Sequence, residues 1–318
     1  MPLLDLPLEQ LHSYQGRNPR PADFDAYWDA GLAEMHGLNA DIALEEASFS
    51  ARSAECFHLW FTGVGGARVH AKYLRPKGAK NCPAIIHFHG YTWRSAEFHE
   101  KLSWIAEGYC VAELDCRGQS GLSEDPGEVR GNTHNGHIIR GLDDSPEKLY
   151  YRGTYLDCAQ LARIVMDFDE VDSTRVGANG GSQGGGLTLA CAALEPNIKR
   201  LAPVFPFLCD YKRVWEMDLA KGAYAELKTF FRNFDPLHER EEEIFTRLGY
   251  IDVQHLAPRI RGEVLMATGL MDDICPPSTQ FAAYNKIPAP KDVVIYPDFG
   301  HEGLHGFGNR TFEFMSGL

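Results

Sequence analysis

The chain contains no CxxC pair; its eight cysteines stand singly at 56, 82, 110, 116, 158, 191, 209 and 275. That scatter speaks against a zinc knuckle or a thioredoxin-type redox site. Several lie in apolar runs (AELDC, LTLAC, FLC), as buried reduced thiols do. No stretch reaches the apolar length needed to cross a bilayer. The opening MPLLDLPLEQLHSYQGRNPRP has no basic segment followed by an apolar one, so no signal peptide is read and a cytoplasmic location is expected. Positive charge is short too: 31 Lys and Arg against 44 Asp and Glu give a formal net charge of −13. Such a surface repels phosphate backbones, so nucleic acid is not an expected partner, whereas neutral small molecules stay open.

With 44 % hydrophobic and 24 % charged residues, the composition is that of an ordinary globular protein. Phe24, Tyr27, Trp28, Leu32 and Met35 share one face of an amphipathic helix over 22–35. Alternating runs at 56–61 and 67–74, separated by Gly63, Gly65 and Gly66, fit a hairpin. From PAIIHF (83–88) onward the pattern changes to short apolar strands, at 83–88, 109–114, 175–178, 200–205, 263–267 and 292–296. Helical stretches at 98–107 and 150–168, and others between the later strands, alternate with them. Strands alternating with helices predict an α/β fold with a mainly parallel sheet covered on both faces. No linker divides the 318 residues, so a single domain is expected. The segment 207–261 reads as a helical insertion, a lid or an oligomer interface; its charge run HEREEE (238–243) reads as a solvated helix face.

Gly180-Gly181-Ser182-Gln183-Gly184 fits GxSxG, with a strand pattern running in and an apolar helix pattern running out. That is the strand–turn–helix of a nucleophile elbow, the signature of the α/β-hydrolase fold. No GK[ST] follows the glycines, which disfavours a phosphate loop. The turn strains the serine, and small neighbours relieve the crowding. The following helix N-terminus offers N–H groups to an oxyanion. A serine hydroxyl of ordinary acidity needs a histidine base, and the histidine needs an orienting acid. The order Ser, acid, His is supplied by Ser182, by GLMDD (269–273) after one strand and by FGHE (299–302) after another. His301 is the candidate base, with His305 a nearby competitor. Periodicity does not choose between Asp272 and Asp273. The loop HFHGY (87–91) is placed to give a second oxyanion donor, the Tyr91 N–H. His87, His89 and His99 lack a carboxylate or cysteine at fitting spacing, so no metal is assigned.

The chain resembles carbohydrate esterase family seven, the acetyl xylan esterases and cephalosporin C deacetylases. The resemblance runs through PxDFDAYW, HFHGY, Arg117-Gly118-Gln119, GNTHNGHIIRGLDD (131–144), YYRGTYLDC, GGSQGGG, PFLCDY, GLMDDICPPSTQFAAYN and His301-Glu302. It implies Ser182 as nucleophile, Asp272 as acid and His301 as base, with the Tyr91 and Gln183 N–H groups as oxyanion hole. It also implies that Arg117 and Gln119 brace the site rather than react. It further implies deacetylation of small acetylated sugars and cephalosporin-type acetyl esters, without a cofactor, in a hexameric ring of two stacked trimers. On the residues alone, a peptidase or thioesterase on the same triad and a non-catalytic binder remain the alternatives. Asp273 is then expected to cap the next helix or face solvent.

Overall fold

The computed structural model describes residues 4–127, 129 and 136–318. Of the 131–144 motif, residues 131–135 lie outside the described residues, as do residues 1–3 of the opening segment.

Nine strands form one sheet: β1 Ala43–Glu46, β2 Ala54–Thr62, β3 Arg68–Pro76, β4 Cys82–Phe88, β5 Cys110–Leu114, β6 Val171–Gly181, β7 Arg200–Val204, β8 Glu263–Gly269 and β9 Lys291–Tyr296. Their order is β1-β2-β3-β5-β4-β6-β7-β8-β9. The pairs β1/β2, β2/β3 and β3/β5 are antiparallel. From β5 to β9 every pair is parallel. The alternation of β4 shows why both faces must be covered. Ala84, Ile86 and Phe88 enter one hydrophobic cluster, with the helices Phe24–Gly37, Tyr150–Met166 and Gln183–Leu194. Ile85 enters a second, with Trp104, Ile105 and Met315 from the helices Leu102–Ala106 and Phe307–Met315. Side chains of period two therefore serve two cores, and the strand reads as a continuous apolar run.

The helix expected over 22–35 spans Phe24–Gly37, with Phe24, Tyr27, Trp28 and Met35 buried and Leu32 only partly so. The stretch at 98–107 splits into a 3₁₀ turn, Phe98–Lys101, and the short helix Leu102–Ala106. Two elements escape the sequence reading. β1 is ALEE, largely exposed and without alternation; it exists because β2 offers it a partner, with Ala43 opposite Trp60. The C-terminal helix buries Phe307, Thr311 and Met315 at spacings of four, a pattern that was there to be found.

Within 207–261 the described residues hold the helices Tyr211–Glu216, Ala225–Phe234, Glu241–Leu248 and Val253–Leu256, and no strand. Phe230, Phe231, Ile244, Phe245 and Leu248 tie them into the main core. The HEREEE run ends in the first turn of Glu241–Leu248, where three glutamates complement the positive helix end. All eight cysteines are free thiols, seven of them buried. No helix among the described residues is long and apolar enough to cross a membrane.

Candidate active site

The parallel strands β6 and β8, and the loop after β9, deliver three side chains to one place. β6 turns at once into the helix Gln183–Leu194, leaving Ser182 at φ 57°, ψ −120° between them. An L residue adopts this backbone only when its surroundings over-determine it. The flanking glycines show how. A Cβ on Gly180 would stand 2.6 Å from the Phe88 carbonyl, and one on Gly184 only 2.1 Å from the same oxygen. The elbow is thus pressed onto the end of β4. Backbone bonds fix it further: Ser182 N–H donates to Val204 O at 3.0 Å, and Phe207 N–H donates to Ser182 O at 3.0 Å.

The acid and the histidine come from two loops that interlock. A Cβ on Gly269 would meet the Phe299 carbonyl at 2.3 Å, so only glycine permits the approach. Met271 N–H donates to Phe299 O at 2.9 Å. The result is a hydrogen-bonded chain: Asp272 Oδ2 to His301 Nδ1 at 2.8 Å, and His301 Nε2 to Ser182 Oγ at 2.9 Å. Asp272 is fully buried, and its other oxygen accepts the N–H groups of Ile274 and Cys275. A carboxylate so placed accepts a hydrogen bond from Nδ1–H, and this tautomer leaves Nε2 to accept from the serine hydroxyl. The Phe205 ring, 4.5 Å from the imidazole by centroids, packs on the histidine.

Beside the serine, Gln183 is the first residue of its helix, so its N–H has no intrahelical acceptor. The Tyr91 N–H likewise makes no hydrogen bond among the described residues. Both loops are locked by the buried Gln183 side chain. Its Oε1 accepts from Gln119 Nε2 at 2.8 Å and from the Tyr151 hydroxyl at 2.9 Å. Its Nε2 lies 3.4 Å from both the His89 and Gly90 carbonyls. Gln119 also donates to the Tyr150 hydroxyl, which donates to Arg117 O. Arg117 forms a buried pair with Asp157, Nη2 to Oδ1 2.7 Å. Arg117 and Gln119 therefore stand behind the site, tied to the helix Tyr150–Met166.

The remaining candidates fall away from the centre. Asp273 does not cap a helix: the next one starts at Pro277, and the Asp273 carboxylate pairs with Lys221 at 2.8 Å on the surface. His305 and His99 are exposed. His89 is used internally, its Nε2 accepting the Cys116 N–H and its Nδ1 2.8 Å from Gly90 O. His87 is buried against Trp104. Burial lowers both imidazoles, which keeps them neutral. Sequence reasoning missed Cys275. Its thiol lies with the ligand atoms of Asp272 and His301 inside 4.8 Å, and burial, followed by the Asp272 charge, pushes it well above the usual thiol range. The Asp272 and His301 side chains are already hydrogen-bonded to each other. Sequence reasoning also missed Glu226, because nothing in a helical segment remote in the chain signals contact with Tyr91.

A sequence profile described as acetyl xylan esterase (AXE1) matches residues 1–318. The chain belongs to the acetyl xylan esterase family. This is a family of carboxylic ester hydrolases with the α/β-hydrolase fold. The structure is similar to that of acetyl xylan esterase 1 from Thermoanaerobacterium sp. JW/SL YS485, with 56 % identity, 98 % of each chain covered and a TM-score of 0.97. It is similar also to an acetyl xylan esterase from Paenibacillus sp. R4, with 36 % identity, 98 % of this chain and 100 % of the other covered, and a TM-score of 0.93. The acetyl esterase Axe7A of Xylanibacter ruminicola is 26 % identical over 283 residues, which are 87 % of this chain. The chain spans 62 % of that relative's length.

Proposed function

We propose that this member of the acetyl xylan esterase family is a serine esterase that removes acetyl groups from small acetylated sugars, acetylated xylo-oligosaccharides first among them, and from cephalosporin-type acetyl esters. The observation that carries the reading is the unbroken chain Asp272–His301–Ser182 ending on a strained, elbow-held hydroxyl. Ser182 Oγ attacks the acetyl carbonyl while His301 Nε2 takes its proton. The negative charge that develops on the carbonyl oxygen is received by the Tyr91 and Gln183 N–H groups, which have no hydrogen-bond acceptor among the described residues. The imidazolium, stabilised by Asp272, returns the proton to the departing sugar oxygen, leaving an acetyl ester on Ser182. Water then repeats the sequence in reverse: His301 takes its proton, and acetate leaves as Ser182 regains its own. No step calls for a cofactor. Arg117, through Asp157, and Gln119, through the Gln183 amide, keep the donor loops in register.

Family resemblance supports one further part of the reading, a hexameric ring with sites facing an inner chamber; the eight free thiols support another, a cytoplasmic location. The helices within 207–261 serve as lid or subunit interface in that arrangement. Rates on acetylated xylo-oligosaccharides, polymeric acetylated xylan, butyryl esters and acyl-peptides test the assignment. The reading expects acetyl oligosaccharides to be preferred by kcat/KM and the polymer to be poor. A preference for butyryl esters or peptide bonds would move the chain to another specificity on the same triad. A monomeric mass by light scattering would remove the ring.

A further inference from the structure

Of the buried acids in the helical segment, Glu226 is the one that reaches Tyr91. Glu226, in the first turn of Ala225–Phe234, is 5 % exposed. Its Oε1 accepts the Tyr91 hydroxyl at 2.7 Å, and its Oε2 accepts the Ile139 N–H at 3.1 Å. The same Tyr91 oxygen accepts the His137 N–H at 2.9 Å. Gly136, at φ +124°, passes so close that a Cβ there would stand 2.2 Å from the carboxylate. Three separate pieces of chain, the 87–91 loop, the 136–139 segment and the helix, therefore meet at one carboxyl group.

Among the described residues, the groups facing that carboxyl are neutral. Facing it are the Tyr91 hydroxyl and the N–H groups of Ile138 and Ile139, with Tyr151 nearby on Tyr150–Met166. The His137 ring, edge-on to Tyr91, is brought down to about 4 by burial and is uncharged near neutrality. Among the described residues no cation pairs with Glu226. Burying a carboxylate without a counter-charge is costly; what it offers over an amide is two acceptor oxygens, one for the Tyr91 hydroxyl and one for the Ile139 N–H. An acid kept at such a place, one residue's length from an oxyanion donor, points to a role in the reaction.

We propose that Glu226 is a positioning residue for the oxyanion hole: its carboxylate grips the Tyr91 hydroxyl and so holds the Tyr91 N–H in the place where negative charge develops. The proposal rests on the reading of Tyr91 N–H as an oxyanion donor. It gives the helical segment a part in the chemistry. The grip depends on ionisation. As a carboxylate, Glu226 accepts from both donors, and such charge-assisted bonds are short and directional. Once protonated, one of its two oxygens becomes a donor that faces the Tyr91 hydroxyl or the Ile139 N–H, both of which donate to it as a carboxylate, and the grip weakens. Burial, opposed by the Tyr91 and backbone hydrogen bonds, raises this carboxyl to about 7.

Steady-state kinetics on p-nitrophenyl acetate from about pH 5 to about pH 9, with wild type, Glu226→Gln, Tyr91→Phe and the double variant, test the proposal. Above neutrality Glu226→Gln is expected to lose between ~10-fold and ~100-fold in kcat, with KM within about twofold. The ratio of wild-type to Glu226→Gln kcat should climb through the neutral range and level off. A residue that merely stabilises the fold would give a flat ratio. Tyr91→Phe should show a similar loss, and the double variant no more than either single one; Tyr91→Phe carries the test alone should Glu226→Gln not fold. Binding of methylboronic acid, which forms a tetrahedral anion on the serine, should weaken by the same factor as kcat. A flat ratio, additive losses or unchanged kcat in Glu226→Gln overturns the proposal. Tyr91→Pro, which removes the N–H itself, separates the two layers. If it leaves boronate affinity intact, the oxyanion assignment of this loop fails. If it weakens the affinity while Glu226→Gln does not, that assignment stands and the role of Glu226 falls.

Discussion

The molecule contains two hydrogen-bonded chains that start from a buried aspartate and pass through a histidine. One is Asp272–His301–Ser182. The other is Asp115–His70–His58, with Asp115 Oδ2 to His70 Nδ1 at 2.7 Å and His70 Nε2 to His58 Nδ1 at 2.8 Å. Their aspartate–histidine geometry is nearly the same, so that geometry cannot by itself make a reactive centre. The third atom and its setting differ. The first chain ends on a strained hydroxyl between the parallel strands and a helix N-terminus, where the Gln183 N–H has no intrahelical acceptor. The second lies across the antiparallel pair β2/β3 and ends on an imidazole hemmed in by Phe98, while Trp60 covers His70. Asp115 also accepts the Ser95 and Leu122 N–H groups, stitching down the loop that carries Arg117 and Gln119. In the proposed reading one chain moves a proton, while the other holds a loop.

Four substitutions sharpen that contrast. Ser182→Ala should lose at least ~10³ in kcat, and on the order of 10⁶ where serine and histidine act as one unit, while its melting temperature stays near wild type. Asp272→Asn should fall by up to ~10⁴ in kcat, because the histidine is then held in the wrong tautomer. Asp115→Asn should behave in the opposite manner, with kcat within a few-fold but the fold weakened by roughly 2–3 kcal/mol. Burial acts to raise Asp115, but the bonds from His70, Ser95 and Leu122 outweigh it and hold the carboxyl well below its usual range. The stability it contributes is therefore present above its unfolded pKa of about 4 and is lost as pH falls through the folded value. Urea unfolding of wild type and Asp115→Asn should converge in acid; a constant gap would mean that the carboxylate is not the source.

Asp273→Asn is the smallest case. Its partner Lys221 and the carboxylate are both about half exposed, so the pair contributes no more than ~1 kcal/mol, and kcat should be close to normal. If Asp273→Asn were impaired and Asp272→Asn active, the acid would have been assigned to the wrong neighbour.

The elbow was legible because its chemistry is local: glycines flank Ser182, a strand enters and a helix leaves, all within one stretch of sequence. The order of Ser182, Asp272 and His301 was legible because each stands just past a strand or turn of an alternating pattern. The choice between Asp272 and Asp273 was not a matter of periodicity; the interlocking of Gly269 with Phe299 turns the first toward His301 and leaves the second at the surface. Glu226, Asp157 and Cys275 were not legible, because their partners are brought up by tertiary packing alone. β1 was missed for the same reason, having no pattern apart from its partner β2.

The central claim is that Ser182 carries the acetyl group. Rapid mixing with p-nitrophenyl acetate, an acid quench and peptide mass mapping test it directly. The account predicts a p-nitrophenolate burst equal to the concentration of sites and one acetyl on the Ser182 peptide, both absent in Ser182→Ala. Turnover by Ser182→Ala at an undiminished rate, or an acetyl group trapped on another residue, would contradict it.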